Sequence, residues 1–502
     1  MTENKMLAHA QSHARAARPA SMRANHHHVA WLEPDPAHPE RDVFCFLAAT
    51  NDAAWGNFEG QTHADGDMQV GRGPCSTQNA ALLRDAFPNL KPVPLGLATS
   101  AGFGDRLGVA TPGHVRALRT ADPEGHIQPI FAQQSIREMT RTGRTPQGVM
   151  DDATWGAFAA GWHDAVGADA DHLKTEADVR SCVDAGFTFF TFDPGDRVDD
   201  DAETASETEL ESKLAALPWG ELQTHQDELL ATYVGTVLTL DGLTVELDRA
   251  SVVKAAAKYG AALAHAAHLH TVLVSTGAPF EIEISVDETG TPTSLHEHAF
   301  LALELKRLGV PFVSLAPRFV GRFEKGVDFR GNLNELTDTL RGHALIAREL
   351  GPYKLSLHSG SDKFSVYPHI AEATQGLVHL KTAGTSYLEA LRVAARHDPD
   401  LFRKVLTLGH ERFEQDRASY LIGAELSRVP NESDLRDDEL PALLDDDDAR
   451  QVLHVTYGSA LDAFHEGLMT VLAGHREDHE ATLEAHFVRH LKPFAAHASD
   501  RP

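Results

Sequence analysis

From about residue 92 the chain repeats one rhythm: a short apolar run, a polar loop, then a stretch with apolar residues three and four apart. Short alternating runs suit strands and the longer spacing suits amphipathic helices, so the rhythm predicts βα units on a parallel sheet. The predicted strands are LGLATSA (95–101), QPIFAQQ (128–134), GADADHLK (167–174), FTFFTFD (187–193), FEIEISVDE (280–288), FVSLAPR (312–318), KLSLHSG (354–360) and LVHLKTAG (377–384). Helical stretches at 154–164, 175–185, 295–308, 333–350 and 364–374 separate most of them. Eight strands in this order predict an α/β fold, a (β/α)8 TIM-like barrel; a doubly wound sheet is the alternative built from the same units.

The remaining chain divides around that barrel. Residues 1–90 read as a mixed N-terminal region, with a strand at FCFLAATN (44–51) and a short helix from Asn79 to Phe87. The barrel takes 91–398, with a helical insertion at 195–278 between strands four and five. Residues 399–502 read as a helical C-terminal region packed on the barrel. Two acidic runs, DRVDDDAETASETELE and NESDLRDDELPALLDDDDAR, read as solvated loops.

Composition narrows the class. A net charge of −28 argues against a nucleic-acid protein, which needs a basic face, and leaves room for a local basic pocket. Cys45, Cys75 and Cys182 are too few and too scattered for a disulfide framework, which suits a reducing, cytoplasmic setting. The N-terminal MTENKMLAHAQSHARAARPASMR has no apolar core of a secretory leader, and no apolar run is long enough to span a membrane. The 42% apolar content is ample for a large core. A homo-oligomer is compatible with all of this.

Barrel active sites lie at the carboxyl ends of the strands, and strand side chains alternate between faces. With Ile282 and Ile284 facing the helices, Glu281, Glu283 and Ser285 turn inward. By the same rule Lys354, Ser356 and His358 face in, as do His379 and Lys381, and Ser314 with Arg318. In the third strand His172 and Lys174 are placed inward with Asp171 alongside. Burying so many ionisable groups is costly unless they pair or bind something. Imidazoles with carboxylates and no thiols suit a divalent ion such as Zn, Mn, Co or Ni. His172 and His358 are the expected ligands, with Glu283 or Glu324 as a carboxylate and Asp328 close behind. Lys174, Arg318 and Lys381, with Ser359 counted alongside, suit a small anionic substrate such as a sugar acid. The competing reading is that these lysines merely neutralise Glu281 and Glu283.

Other signals carry less. GFGDRLG (102–108) departs from the dinucleotide fingerprint, and a backbone anion cradle is the alternative reading of its glycines. HEH (296–298) has spacing that diverges on a helix, and AHAAHLH (265–270) reads as a helix face.

Several long strings are more specific. GFGDRLGVATPGH (102–114), PIFAQQSIRE (129–138), TGRTPQGVMDDATWGAF (142–158), GADADHLKT (167–175), EIEISVDET (281–289), VSLAPRFVGRFEKG (313–326), YKLSLHSGSDKFSVYP (353–368) and HLKTAGTSYLEALR (379–392) together resemble the tagaturonate epimerase family. The resemblance runs from about residue 95 to 395 and beyond. It implies a metal-dependent enzyme on a (β/α)8 scaffold that interconverts D-tagaturonate and D-fructuronate at C4. It also implies Asp171 as proton acceptor, Glu283 as proton donor, and His172, His358 and Glu324 as metal ligands. A carbonyl at C2 acidifies only the C3 proton. Inversion at C4 therefore needs transient oxidation there, or retro-aldol cleavage of C3–C4 and re-addition; the second needs only a Lewis acid and two proton carriers. The rivals are a metal-dependent aldose–ketose isomerase on the same barrel, a non-catalytic sugar-acid binding protein, and a metallohydrolase. The last normally carries HxH on its first strand, which GLATSAG lacks.

Overall fold

The computed structural model describes residues 3–14, 16–38, 41–50 and 52–498. A helix, Glu3–His13, is followed by an antiparallel sheet of β1 (Arg23–Ala24), β2 (Val29–Pro34), β3 (Asp42–Ala49), β4 (Gln61–Asp65) and β5 (Met68–Pro74), in the order β1-β2-β3-β5-β4. The expected strand at 44–51 is β3, which begins two residues earlier; Asn51 lies outside the described residues. The barrel strands are β6 (Ser100–Gly104), β7 (Gln128–Ser135), β8 (Gly167–Leu173) and β9 (Phe189–Phe192). After the hairpin β10 (Thr236–Leu240) and β11 (Leu243–Leu247) come β12 (Glu281–Ser285), β13 (Ser314–Ala316), β14 (Lys354–Leu357) and β15 (Val378–Lys381). All eight barrel strands pair in parallel, and β15 returns to β6 to close the ring.

The period-two pattern builds the layers. Ile282, Ile284, Leu315, Leu355, Leu357, Val378 and Leu380 are buried against the outer helices in one continuous core. Burying each such side chain stabilises the fold by roughly 1.5–3 kcal/mol. Local chemistry fixes the helix starts. Ser294 caps the helix Leu295–Arg307, and its N3 residue Glu297 reaches back in a capping box.

Several expectations change. The first barrel strand starts at Ser100, so Gly102 and Gly104 lie inside β6 and not in a following loop. The backbone donors beyond it are already taken: Asp105 accepts from the N–H groups of Leu107, Gly108 and Ala110, which leaves no anion cradle. The insertion is not wholly helical, because the β10–β11 hairpin precedes its long helix, Arg249–Ser275. Its acidic run is also anchored there, with Glu203 paired to Lys254 and Glu211 to Arg249. The other acidic run includes a 3-10 helix, Asp437–Asp445. The C-terminal helix Arg476–Ala498 packs on the barrel helix Thr111–Ala121, where the added Cβ of an alanine at Gly113 would strike Leu483 at 2.6 Å. Among the described residues no helix is long and apolar enough to cross a membrane.

Candidate active site at the barrel mouth

The barrel interior is organised by one lysine. Lys381, near the end of β15, lies 2.9 Å from Asp169, 2.7 Å from Asp171 and 2.9 Å from Glu283. It also donates to the Thr191 hydroxyl at 2.6 Å. These groups come from β8, β9, β12 and β15, all turned inward by the alternation of their strands. Burial opposes charge on Lys381, Asp171 and Glu283, but their mutual attraction prevails. Lys381 is held well above the usual lysine range, and Asp171 and Glu283 are held below the usual carboxylate range.

Above this layer sit two imidazoles. His358, just past β14, places Nε2 2.5 Å from Glu283 and Nδ1 3.0 Å from Asp287. His172 reaches the mouth through a register shift in β8 and a left-handed backbone, φ 54°. The inward register of β8 is Asp169 and Asp171, so it is this irregularity, and not the alternation used to place it, that turns His172 to the mouth. Its Nδ1 faces Asp193 at 3.2 Å, and its ring lies 5.0 Å from that of His358. Burial disfavours both imidazolium ions, yet Asp171 with Asp193 raises His172 to about 10, and Asp287 with Glu283 raises His358 to about 9.

Asp171, His172 and His358 each offer a ligand atom, and these atoms lie within 4.8 Å of one another. This donor set, two nitrogens and an oxygen gathered at strand ends, fits a borderline divalent ion. Beside it opens a cavity of about 550 Å³ lined by Arg318, Ser359, Lys325, Phe319, Glu288 and Tyr420, among others.

Two expected residues are not brought there. Glu324 is fully buried, but it pairs with Arg322 at 2.5 Å and accepts from the Gly423 N–H and the Gln451 amide. It is spent tying the loop after β13 to the C-terminal region. Lys174 is at the rim, neutralised by Asp196 at 2.8 Å and Asp193 at 3.6 Å, and it does not line the cavity. Lys381 faces three carboxylates and has little surface left to offer.

Reading strands alone missed Asp287, Glu288, Lys325 and Tyr420, which lie in loops. The signal for Asp287 was available two residues beyond Ser285, in the inward register of β12. Tyr420 carried none, because only the fold brings the C-terminal segment over the mouth. Three of the histidines flagged elsewhere have partners of their own. His298 meets His343 at 2.8 Å and Tyr353 at 2.7 Å, and His265 and His268 contact Lys174 and Glu176.

A closed parallel barrel with histidines and carboxylates converging at its carboxyl end is the arrangement of a barrel enzyme. A family model described as tagaturonate epimerase matches residues 38–494, and the chain belongs to that family. It is an isomerase, a carbohydrate epimerase. A protein of Thermotoga maritima named tagaturonate/fructuronate epimerase is 45% identical over 416 residues, covering 82% of this chain and 84% of that protein. The native crystal structure of a fructuronate-tagaturonate epimerase from Cohnella laeviribosi matches at 34% identity with a TM-score of 0.88, covering 98% of this chain and 99% of that one. A glycerol complex of that enzyme gives the same TM-score and covers 97% of this chain and 99% of that one.

Proposed function

We propose that this chain interconverts D-tagaturonate and D-fructuronate at C4, using a divalent metal ion and retro-aldol chemistry. The substrates are those for which the 45% identical Thermotoga maritima relative is named. The metal rests on one observation: His172 and His358 meet at the strand ends, with carboxylates around both.

His172 and His358 would hold the ion, and we assign Asp287 as their carboxylate partner. Asp171 also lies within ligand reach of the two imidazoles, but we keep it as the base, oriented by Lys381 at 2.7 Å and Gln133 at 3.2 Å. Asp287 is held through one oxygen, Oδ1, by the Ser285 hydroxyl and by His358 Nδ1. His358 then turns Nε2 to Glu283, the orientation in which a carboxylate fixes a ligating histidine. When bound, the ion supplies Lewis-acid polarisation of the substrate carbonyl.

The chain's own groups do the rest. Asp171, kept ionised by Lys381, accepts the C4 hydroxyl proton as C3–C4 breaks. Glu283, buried and 2.9 Å from Lys381, is assigned as the group that returns the proton after the aldehyde turns. Arg318, Lys325 and Ser359 line the space for the carboxylate and hydroxyls of a sugar acid. The three cysteines are all free, which supports a reducing, cytoplasmic setting.

Incubating D-fructuronate with the metal-loaded enzyme in D2O and reading both ketouronates by NMR tests the chemistry. The original hydrogen should stay on C4, and borohydride should trap traces of two three-carbon fragments. Deuterium at C4 would overturn the retro-aldol route, and appearance of an aldose would favour an aldose–ketose isomerase.

A further inference from the structure

A second group of metal-type side chains lies outside the barrel, where the N-terminal helix crosses the edge of the antiparallel sheet. His9 and His13 are four apart on the helix Glu3–His13, which puts both imidazoles on one face. They stack with ring centres 5.5 Å apart. On β4, the edge strand, His63 and Asp65 are two apart and so share one face of the sheet. The two periodicities meet: His9 Nε2 and His13 Nε2 lie 2.5 Å and 2.7 Å from the same oxygen of Asp65. The ring of His63 stands 6.0 Å from that of His13.

We propose that His9, His13 and Asp65 form a second divalent-cation site, for a borderline ion such as Zn2+, that clips the N-terminal helix to the β4–β5 hairpin. Three observations carry it. The ligand atoms of all three residues lie within 4.8 Å of one another. Two imidazoles four apart on a helix form a bidentate pair of the kind zinc sites use. The pair and the carboxylate come from segments 52 residues apart, so an ion would cross-link two elements that are joined here by little apolar packing. That packing is small: Met6 and Ala10 are the buried residues of the helix, set against a satellite cluster with Trp31, Cys45, Leu47 and Val70. The side chains of His9, His13 and Asp65 keep 30%, 26% and 40% of their surface exposed, so an ion has a path in and room for water as a further ligand. His63 is placed to replace that water with a small turn of its side chain. The site shares no residue with the barrel mouth, and its occupancy would govern attachment of the helix and leave turnover unchanged.

The test uses the full-length protein, stripped with chelator and titrated with Zn2+ against a chromophoric competitor. Wild type, His9→Ala/His13→Ala and His172→Ala/His358→Ala are compared. The proposal expects the first double variant to lose one zinc equivalent while keeping wild-type epimerase turnover. It expects the second to retain that equivalent, which separates this site from the mouth. Zn2+ should also slow amide exchange in residues 3–13 of wild type and not of His9→Ala/His13→Ala. Where alanine loosens the helix without metal, His9→Gln and His13→Gln singly should each still weaken the site by about 10-fold or more. Equal stoichiometry in wild type and the N-terminal variants, or exchange in residues 3–13 indifferent to Zn2+, would reduce the cluster to a histidine–aspartate ion pair and overturn the proposal.

Discussion

Replacing Lys381 by methionine separates an electrostatic hub from a substrate contact. The side chain is 3% exposed and touches Asp169, Asp171 and Glu283 within 2.9 Å. Each such pair is worth about 4 kcal/mol of attraction near 4 Å at an effective dielectric of ~20, much of it offset by desolvation. Breaking a buried ion pair by deleting one partner costs about 3–5 kcal/mol, and that is the loss expected for Lys381→Met at pH 8. The loss should depend on pH in a definite direction. In wild type the folded pKa values of Asp171 and Glu283 are lowered, so their contribution is present above the unfolded values and is lost as pH falls below them. Without the ammonium, burial and mutual repulsion raise the folded values instead. Their cost is then absent at low pH and fully expressed above the raised values. Each unit of elevation adds about 1.4 kcal/mol to the difference, so the variant's deficit should shrink by about 1–3 kcal/mol between pH 8 and pH 5. Urea unfolding followed by tryptophan fluorescence at both pH values measures it. A deficit below about 1 kcal/mol, or one independent of pH, with a raised KM as the main defect, would refute the hub and restore Lys381 as a substrate ligand.

Glu324→Gln should leave metal stoichiometry at the mouth unchanged and cost about 1–3 kcal/mol of stability through lost pairing with Arg322, whereas Asp287→Asn should lower metal affinity about 10-fold or more. Competition titration checks both, and the reverse pattern would return Glu324 to the ligand set. His172→Ala and His358→Ala should each abolish stoichiometric metal binding at the mouth and reduce kcat by about 10²-fold or more, read by stopped assays at saturating substrate. Burial keeps His114 and His490 neutral, lowered to about 3, and His343 and His479, lowered to about 4. Their stabilising effect is full above the unfolded value near 6.5 and is lost as pH falls toward 3–4, so Tm should drop by several degrees between pH 7 and pH 5. His490→Gln should flatten part of that drop, because His490 Nε2 accepts from the Asp362 N–H and cannot do so once protonated.

Most of the barrel was legible because strand alternation is a strong constraint when both faces are buried. Ile282 and Ile284 against Glu281 and Glu283 set the register of β12, and the same logic put His358, His379 and Lys381 inside. The first strand slipped because Ser100 to Gly104 is small and weakly apolar, so the eye settles on LGLATSA instead. His172 was found for the wrong reason, since a backbone irregularity and not alternation turns it to the mouth. Glu324 looked like a ligand because it is an acid in a loop at the correct end of the barrel. Its partners, Gly423 and Gln451, lie about a hundred residues on and leave no local mark. Asp287 could have been found by carrying the inward register of β12 two residues past Ser285, whereas Tyr420 could not, because its loop has no period and only the fold brings it over the mouth.

The most direct test of the account is metal add-back. The chelated enzyme is given D-fructuronate with single divalent ions, and the products are followed by NMR. The account predicts D-tagaturonate only in metal-loaded samples, with none from metal-loaded His172→Ala or His358→Ala. Equal turnover in chelated and reloaded enzyme would contradict the metal-dependent site at the barrel mouth.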